Sequence, residues 1–286
     1  MKTKNDKLKQ VNLDCCPWCE SKRSEPWGRK VRGFVAVRCE DCDVVYIQNR
    51  LSIEGLSGYY ANYLNEVHQS DKKKNTQRNH MYDLEYSLMS KFITSGKVLD
   101  VGCSNGAFLK LFEEEGFKCH GVEFGEAAAV EASKSFPVYY GEFPEIEIEE
   151  KFDVIIFRGV IEHVIDAKAY LKKAVSLLSP DGYIFITATP NRDSFSCSLY
   201  EEKWNQHYPE VHLLHLAERH LTVYLNQQGL KLLSEKYFYE ETSYANPEND
   251  LLTVAEALKQ KNNGEEITVP SPAFHKNMLT LIYQSS

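Results

Sequence analysis

From residue 96 onward the chain alternates between two hydrophobic periods. Short apolar runs, "KVLDV" (97–101), "CHGVEF" (119–124), "FPVYYG" (136–141), "FDVIIFRG" (152–159) and "GYIFITATP" (182–190), alternate with segments that read as helices. The runs predict strands, and residues 107–115, 126–134 and 166–178 predict helices, the first ending at Gly116. The fourth run is too uniformly apolar to be half exposed. Strands alternating with helices predict an α/β fold, a mostly parallel sheet covered on both faces. A helix around 218–228 follows, and "LKLLSEKYFYE" and "NMLTLIYQS" predict a terminal pair of strands. Between them "ANPENDLLTVAEALKQKNNGEE" predicts an inserted helix with a mobile end, within an insertion at about 241–270.

Upstream the pattern changes. Met81, Leu84, Leu88 and Phe92 recur at helical spacing from Thr76 to Gly96, which predicts a helix across the entrance of the main domain. Residues 51–95 thus read as a helical connector or lid. Tyr59, Tyr60 and Tyr63 in it are expected to pack neighbouring segments together in preference to lining a substrate opening.

Residues 1–50 carry a different signal. Cys16 and Cys19 form one C-x-x-C and Cys39 and Cys42 another, with nineteen residues between the pairs. Two such knuckles can place four thiolates around a structural zinc ion, and the short β-rich runs Phe34–Val37 and Val44–Ile47 suit a zinc ribbon. A segment this small buries little apolar surface, so the metal would supply its folding energy. Neither pair opens a helix after a strand, which argues against a redox pair. Cys15 is a spare that a register slip could bring in for Cys16; the Cys-Pro-x-Cys spacing favours Cys16.

Composition narrows the function. Five of eight cysteines fall within residues 15–42, a local metal site and not a spread of disulfides, which points to a reducing, cytoplasmic setting. With 33 basic and 41 acidic side chains the net charge is −8, a poor general footprint for nucleic acid. No apolar run approaches the length of a membrane span. The start is basic with no apolar stretch behind it, unlike a signal peptide.

The candidate chemistry sits where the first strand ends, in "VLDVGCSNGAFL". Ligands in such sheets lie beyond the carboxyl ends of the strands. A triphosphate loop would need GxxxxGK[ST], which is absent here. A G-x-G-x-x-G dinucleotide turn would need a glycine where Ser104 stands, and Gly106 comes one position early. Asp100 would repel a pyrophosphate and attract an ammonium or sulfonium group. Glu123, ending the second strand, can accept both hydroxyls of a ribose. Together these favour S-adenosylmethionine over NAD.

"VLDVGCSNGAFL", "GVEF", "FDVIIFRGVIEHVID" and "LLSPDGYIFITATPN" resemble the successive motifs of class I S-adenosylmethionine-dependent methyltransferases over roughly residues 76–240. The resemblance implies a Rossmann-like seven-stranded, mostly parallel sheet with helices on both faces, preceded by the small zinc ribbon, over residues 96–286. It implies that Asp100, Gly102, Cys103, Ser104, Asn105 and Gly106 hold the methionine part and Glu123 the ribose. Phe124, Glu142 and Phe143 would lie at the adenine, with Arg158 and Gly159 beside the cofactor. Ser104 departs from the commoner glycine. Together with "CPWC…RCEDC", "YY..Y" and "HLLHLAERHLTVYLNQQGL", the chain looks like methyltransferases of sugar and polysaccharide pathways, so the implied acceptor is a small molecule, a nucleotide-linked sugar or saccharide included.

Methyl transfer needs alignment and, for a hydroxyl, a proton acceptor. His163 follows the fourth strand at the mouth of the site, and His212 and His215 fall on the segment after the fifth; these three are the candidate bases. Glu162 is expected to be structural. The 212–215 spacing lacks an H-E-x-x-H-like companion, so no metal is assigned there. His68, His80, His120 and His275 have no special context. Tyr200, Trp204 and Tyr208 suit either an acceptor wall or the core. Two rival functions remain: RNA methylation, with the basic stretch around Trp27 and Phe34 contacting RNA, and a non-catalytic module that binds cofactor or recruits a partner.

Overall fold

The computed structural model describes residues 9–61 and 72–285, the side chains of 72–75 excepted. Tyr63, His68 and the basic residues 1–8 lie outside the described residues. Three short strands open the chain, β1 (Ser24–Pro26), β2 (Ala36–Cys39) and β3 (Val45–Ile47), followed by α1 (Ile53–Tyr60) and α2 (Lys72–Met89). The alternating part comprises β4 (Lys97–Val101), α3 (Ala107–Glu114), β5 (Lys118–Glu123), α4 (Glu126–Ala132), β6 (Val138–Tyr140), β7 (Phe152–Arg158), α5 (Ala167–Leu177) and β8 (Leu178–Pro190). It continues through α6 (Phe195–Tyr200), β9 (Leu214–His215), α7 (Glu218–Gln227), β10 (Leu230–Lys236), α8 (Pro247–Asn262) and β11 (Met278–Ser285).

Seven strands form the main sheet in the order β10-β11-β8-β7-β4-β5-β6. Strands β4 to β8 run parallel, and β11 lies antiparallel to both β8 and β10. This is the mostly parallel sheet expected from the alternation, in the Rossmann-like form that the resemblance implied. Side chains of alternate residues go to opposite faces of a strand. Val98, Val154 and Ile156 therefore pack with Met89, Phe108, Leu109 and Phe112 of α2 and α3 on one face. Leu99, Val101, Ile155 and Phe157 pack on the other with Leu171 and Ala174 of α5 and Leu221 and Leu225 of α7. The chain builds outward from β4 in one direction through β5 and β6, then returns to β7 on the other side. The crevice beyond the ends of β4 and β7 is the place where such sheets bind ligands.

A second sheet ties the amino-terminal segment to this domain. Its order is β1-β2-β3-β9, and β9 is a two-residue strand between β8 and α7. Val45 pairs with His215 and Tyr46 with Leu214, and Ile47 N–H donates to the Leu213 carbonyl at 3.1 Å. Trp27, Phe34, Ile47 and Leu51 share one apolar cluster with Tyr200, Trp204 and Leu213 and with Val254 and Ala257 of the inserted helix α8. The ribbon is thus built into the segment that follows β8.

Candidate active site

A cavity of about 670 Å³ opens at the carboxyl ends of β4, β5 and β7. The turn after β4 gives it shape. Gly102 and Gly106 have φ of +79° and +80°, and Ser104 takes φ +51° without being glycine. A Cβ on Gly102 would stand 2.6 Å from Val160 Cγ2, so the turn needs the missing side chain as well as the backbone freedom. Gly102→Ala is expected to cost about 1–3 kcal/mol of stability, checked by thermal unfolding. Asn105 and Gly106 do not line the cavity. The Asn105 Oδ1 accepts from Ala107 N–H at 3.2 Å, and Gly106 packs against Phe136, so both serve to start α3.

Asp100, Gly102, Cys103, Ser104, Glu123, Phe124, Glu142, Phe143, Arg158 and Gly159 all line the cavity. Asp100 is 2% exposed, and its Oδ1 is buried with no hydrogen-bond partner. Burial pushes its carboxyl up to about 7, Arg158 opposing and Glu123 and Glu85 adding to the rise. A buried acceptor without a donor is costly, and it marks a position where a bound donor belongs. Glu123 accepts Ser104 N–H at 2.8 Å and Gly125 N–H at 2.7 Å, which fixes its carboxylate at the end of β5. Glu142 accepts from Tyr170 Oη at 2.5 Å. Arg158 is held by Glu85 of α2, Nε to Oε2 2.6 Å, with its guanidinium over the Tyr82 ring at 4.5 Å. Four acids, Asp100, Glu123, Glu142 and Glu162, face two arginines, Arg78 and Arg158. Burial raises these carboxyls, and a cationic ligand beside them favours their ionised forms.

At the other end of the cavity Glu162, His163 and His212 converge, their ligating atoms within 4.8 Å of one another. His163 Nδ1 lies 3.1 Å from Tyr60 Oη, and its ring meets that of His212 edge-on at 4.6 Å. His212 Nδ1–H donates to the Gln206 carbonyl at 2.6 Å, which leaves the lone pair on Nε2. Burial lowers His212 to about 4 and takes His163 well below the ordinary histidine value. Glu162, 2% exposed, accepts from Thr189 Oγ1 at 3.3 Å; burial pushes it up to about 8.

The methyltransferase-domain family matches residues 74–237, more than half of the chain. The chain belongs to that family. Relatives include a ubiquinone biosynthesis O-methyltransferase of Rhodopseudomonas palustris, 34% identical over 110 residues, 36% of this chain and 43% of that protein. The chain thus spans under half the length of that relative. Among solved structures, the magnesium protoporphyrin IX methyltransferase of Synechocystis PCC 6803 with bound SAH has a TM-score of 0.54 at 12% identity, covering 80% of this chain and 99% of that one. The 1,6-didemethyltoxoflavin-N1-methyltransferase of Burkholderia thailandensis, solved with 1,6-didemethyltoxoflavin and S-adenosylhomocysteine bound, has a TM-score of 0.52 at 15% identity, covering 92% and 99%. Likeness at this identity concerns the fold.

Outside the methyltransferase cavity, the four predicted cysteines form one group. Cys16 and Cys42 sulfurs are 3.7 Å apart and those of Cys19 and Cys39 3.4 Å. Thiolates around a tetrahedral zinc at about 2.3 Å stand about 3.8 Å from each other, so the set fits that ion. Cys15 is outside the group. His220 of α7 bonds to this knuckle through Nε2–H to the Cys42 carbonyl at 2.7 Å and accepts Ala217 N–H on Nδ1 at 2.8 Å. Arg219 adds an ion pair to Asp43 at 2.8 Å.

Other expectations are met only in part. His215 does not line the cavity; it is fully buried in β9, its Nε2 3.0 Å from His207 Nδ1 and its ring beside Trp27 and Trp204. The His212 and His215 rings meet edge-on at 6.3 Å, but only His212 reaches the cavity. Glu162 is a cavity residue and not only a structural one. Tyr59 and Tyr60 line the opening, and Tyr60 also packs against the cluster of Trp27, Phe34 and Ile47, as expected; the tyrosine–histidine contact spans 103 positions and leaves no local signal. Of the other aromatics, Tyr208 lines the cavity, whereas Tyr200 and Trp204 belong to the core.

Proposed function

We propose that this protein transfers a methyl group from S-adenosylmethionine to a hydroxyl of a small polar molecule, a sugar or related metabolite. One observation carries the reading: the buried, unpartnered Asp100 carboxylate at the head of a cavity whose other acid, Glu123, is fixed at the next strand end. S-adenosylmethionine, when bound, supplies a methyl group made transferable by its positive sulfur. Asp100 would receive the cofactor's ammonium group, Glu123 the ribose hydroxyls, and Phe124 and Phe143 the flanks of the base. Tyr170 keeps Glu142 oriented toward the same end. A zinc ion held by Cys16, Cys19, Cys39 and Cys42 would be structural, since four thiolates leave no open position.

The Glu162–His163–His212 end receives the acceptor. Here the sugar class rests on the sequence resemblance, and the O-methyltransferase name of the relative supports a hydroxyl. His212 Nε2 is the base best placed to take the hydroxyl proton, because its other nitrogen is committed to Gln206. His212→Gln is expected to lower kcat about 100-fold or more while leaving S-adenosylhomocysteine affinity within about twofold. A methyl-transfer assay over a panel of nucleotide-linked sugars and free sugars, with the variant alongside, tests this. Turnover unchanged in the variant would remove His212 from the chemistry; turnover on RNA alone would favour the rival reading.

A further inference from the structure

We propose that Glu162, His163 and His212 hold a divalent metal ion at the acceptor end of the cavity, separate from the cysteine-bound zinc. The inference deepens the methyl-transfer reading and rests on it only for what the metal does, not for whether it binds.

Two observations support it. The first is the donor set: two imidazoles and one carboxylate within 4.8 Å of one another, all lining the cavity. Glu162 Oε1 and His163 Nε2 are 3.7 Å apart, beside about 3 Å between cis ligands of such an ion. The second is the shell behind the donors. Metal-binding histidines use the remote ring nitrogen for a hydrogen bond that fixes orientation. His163 has Tyr60 Oη at Nδ1, His212 has the Gln206 carbonyl at Nδ1, and Glu162 has Thr189 Oγ1 at the oxygen away from His163. Each of the three side chains has one atom held in this way, and the Val211 backbone is a further partner of His163.

Two nitrogens and one oxygen select manganese, iron, cobalt or zinc over magnesium or calcium, which prefer all-oxygen sites. Three protein ligands leave coordination positions open toward the cavity. Those positions fit an acceptor that presents two neighbouring oxygens, a vicinal diol or an α-hydroxy acid. A hydroxyl bound there is acidified, and its proton passes to water at the open side of the cavity. Without the metal His212 Nε2 takes the proton; with the metal bound both histidines are ligands, and the ion acidifies the acceptor hydroxyl in place of that base.

The test is a manganese titration of protein already carrying one zinc per chain, followed by the paramagnetic resonance of free Mn²⁺. Manganese binds thiolates poorly and leaves the cysteine site alone. One equivalent of Mn²⁺ is expected to bind the wild-type chain, with zinc content unchanged. Tyr60→Phe, which removes only a bracing hydroxyl, is expected to weaken manganese about 10-fold or more, and His212→Gln further still. Wild-type protein that takes up no manganese, and no second equivalent of zinc when zinc is offered, overturns the proposal. So does manganese bound equally well by both variants. A parallel titration with S-adenosylhomocysteine separates the two readings: cofactor binding without metal binding sinks the metal alone, and metal binding without cofactor binding sinks the methyl-transfer reading.

Discussion

Cys39→Ser is expected to release the zinc and to leave a chain that is largely insoluble or unfolded at 37 °C. The size of the effect follows from where the ribbon's energy comes from. Structural zinc binding contributes on the order of 10 kcal/mol in small cysteine sites, comparable to the whole stability of an ordinary domain. Strand β3 needs that ion to be held, and β9 needs β3, since Val45 and Tyr46 pair with His215 and Leu214. The Leu213 N–H in turn donates to the Glu162 carbonyl at 2.7 Å, so disorder in the ribbon reaches the cavity within a few residues. Removal of residues 1–50 should do the same. The measurements are zinc content, solubility and thermal unfolding of both chains beside the wild type. A truncated chain that stays folded and methylates a free acceptor would mean that the ribbon recruits a partner and does not complete the site.

Asp100→Asn is expected to weaken S-adenosylhomocysteine binding by about 30-fold to several thousandfold, while the free protein becomes more stable above pH 7. Removing one partner of a buried charged hydrogen-bonded pair costs about 2–5 kcal/mol, which sets the first range. The second half follows from linkage. The Asp100 carboxyl is pushed up to about 7 in the folded protein, above an unfolded value near 4. A raised acid binds its proton better in the folded state, so its contribution to stability is lost as pH rises from about 4 to 7. Asparagine removes that loss, and the gain should vanish at low pH. Binding carries the opposite sign: the ammonium group needs the ionised carboxylate, so affinity should fall about tenfold per unit as pH drops below 7. Titrations at pH 6 and 8 with thermal unfolding at the same values give both readings. A variant that loses stability along with binding would point to a packing role instead.

The main sheet was legible because its strands are set apart by period and by burial. "FDVIIFR" is buried along nearly its whole length and sits at the centre, whereas "LKLLSEK" alternates and sits at the edge. The turn was legible because Gly102 and Gly106 meet backbone demands that few residues satisfy. The β3–β9 pairing was not: two residues, Leu214 and His215, make too short a run, and their partners lie some 170 positions earlier. The histidines show the same limit. Sequence put His212 and His215 together, and their rings do meet edge-on, but only the fold brings His212 to His163 and Glu162 while His215 stays out of the cavity. Tyr60 reached the cavity through α1, whose placement depends on contacts far along the chain.

The most direct test of the account is a calorimetric titration of zinc-loaded protein with S-adenosylhomocysteine, with NADH as the comparison ligand. The expected result is 1:1 binding of the thioether and none of NADH. A folded, zinc-loaded protein that binds no S-adenosylhomocysteine would contradict the account and withdraw the methyl-transfer reading with it.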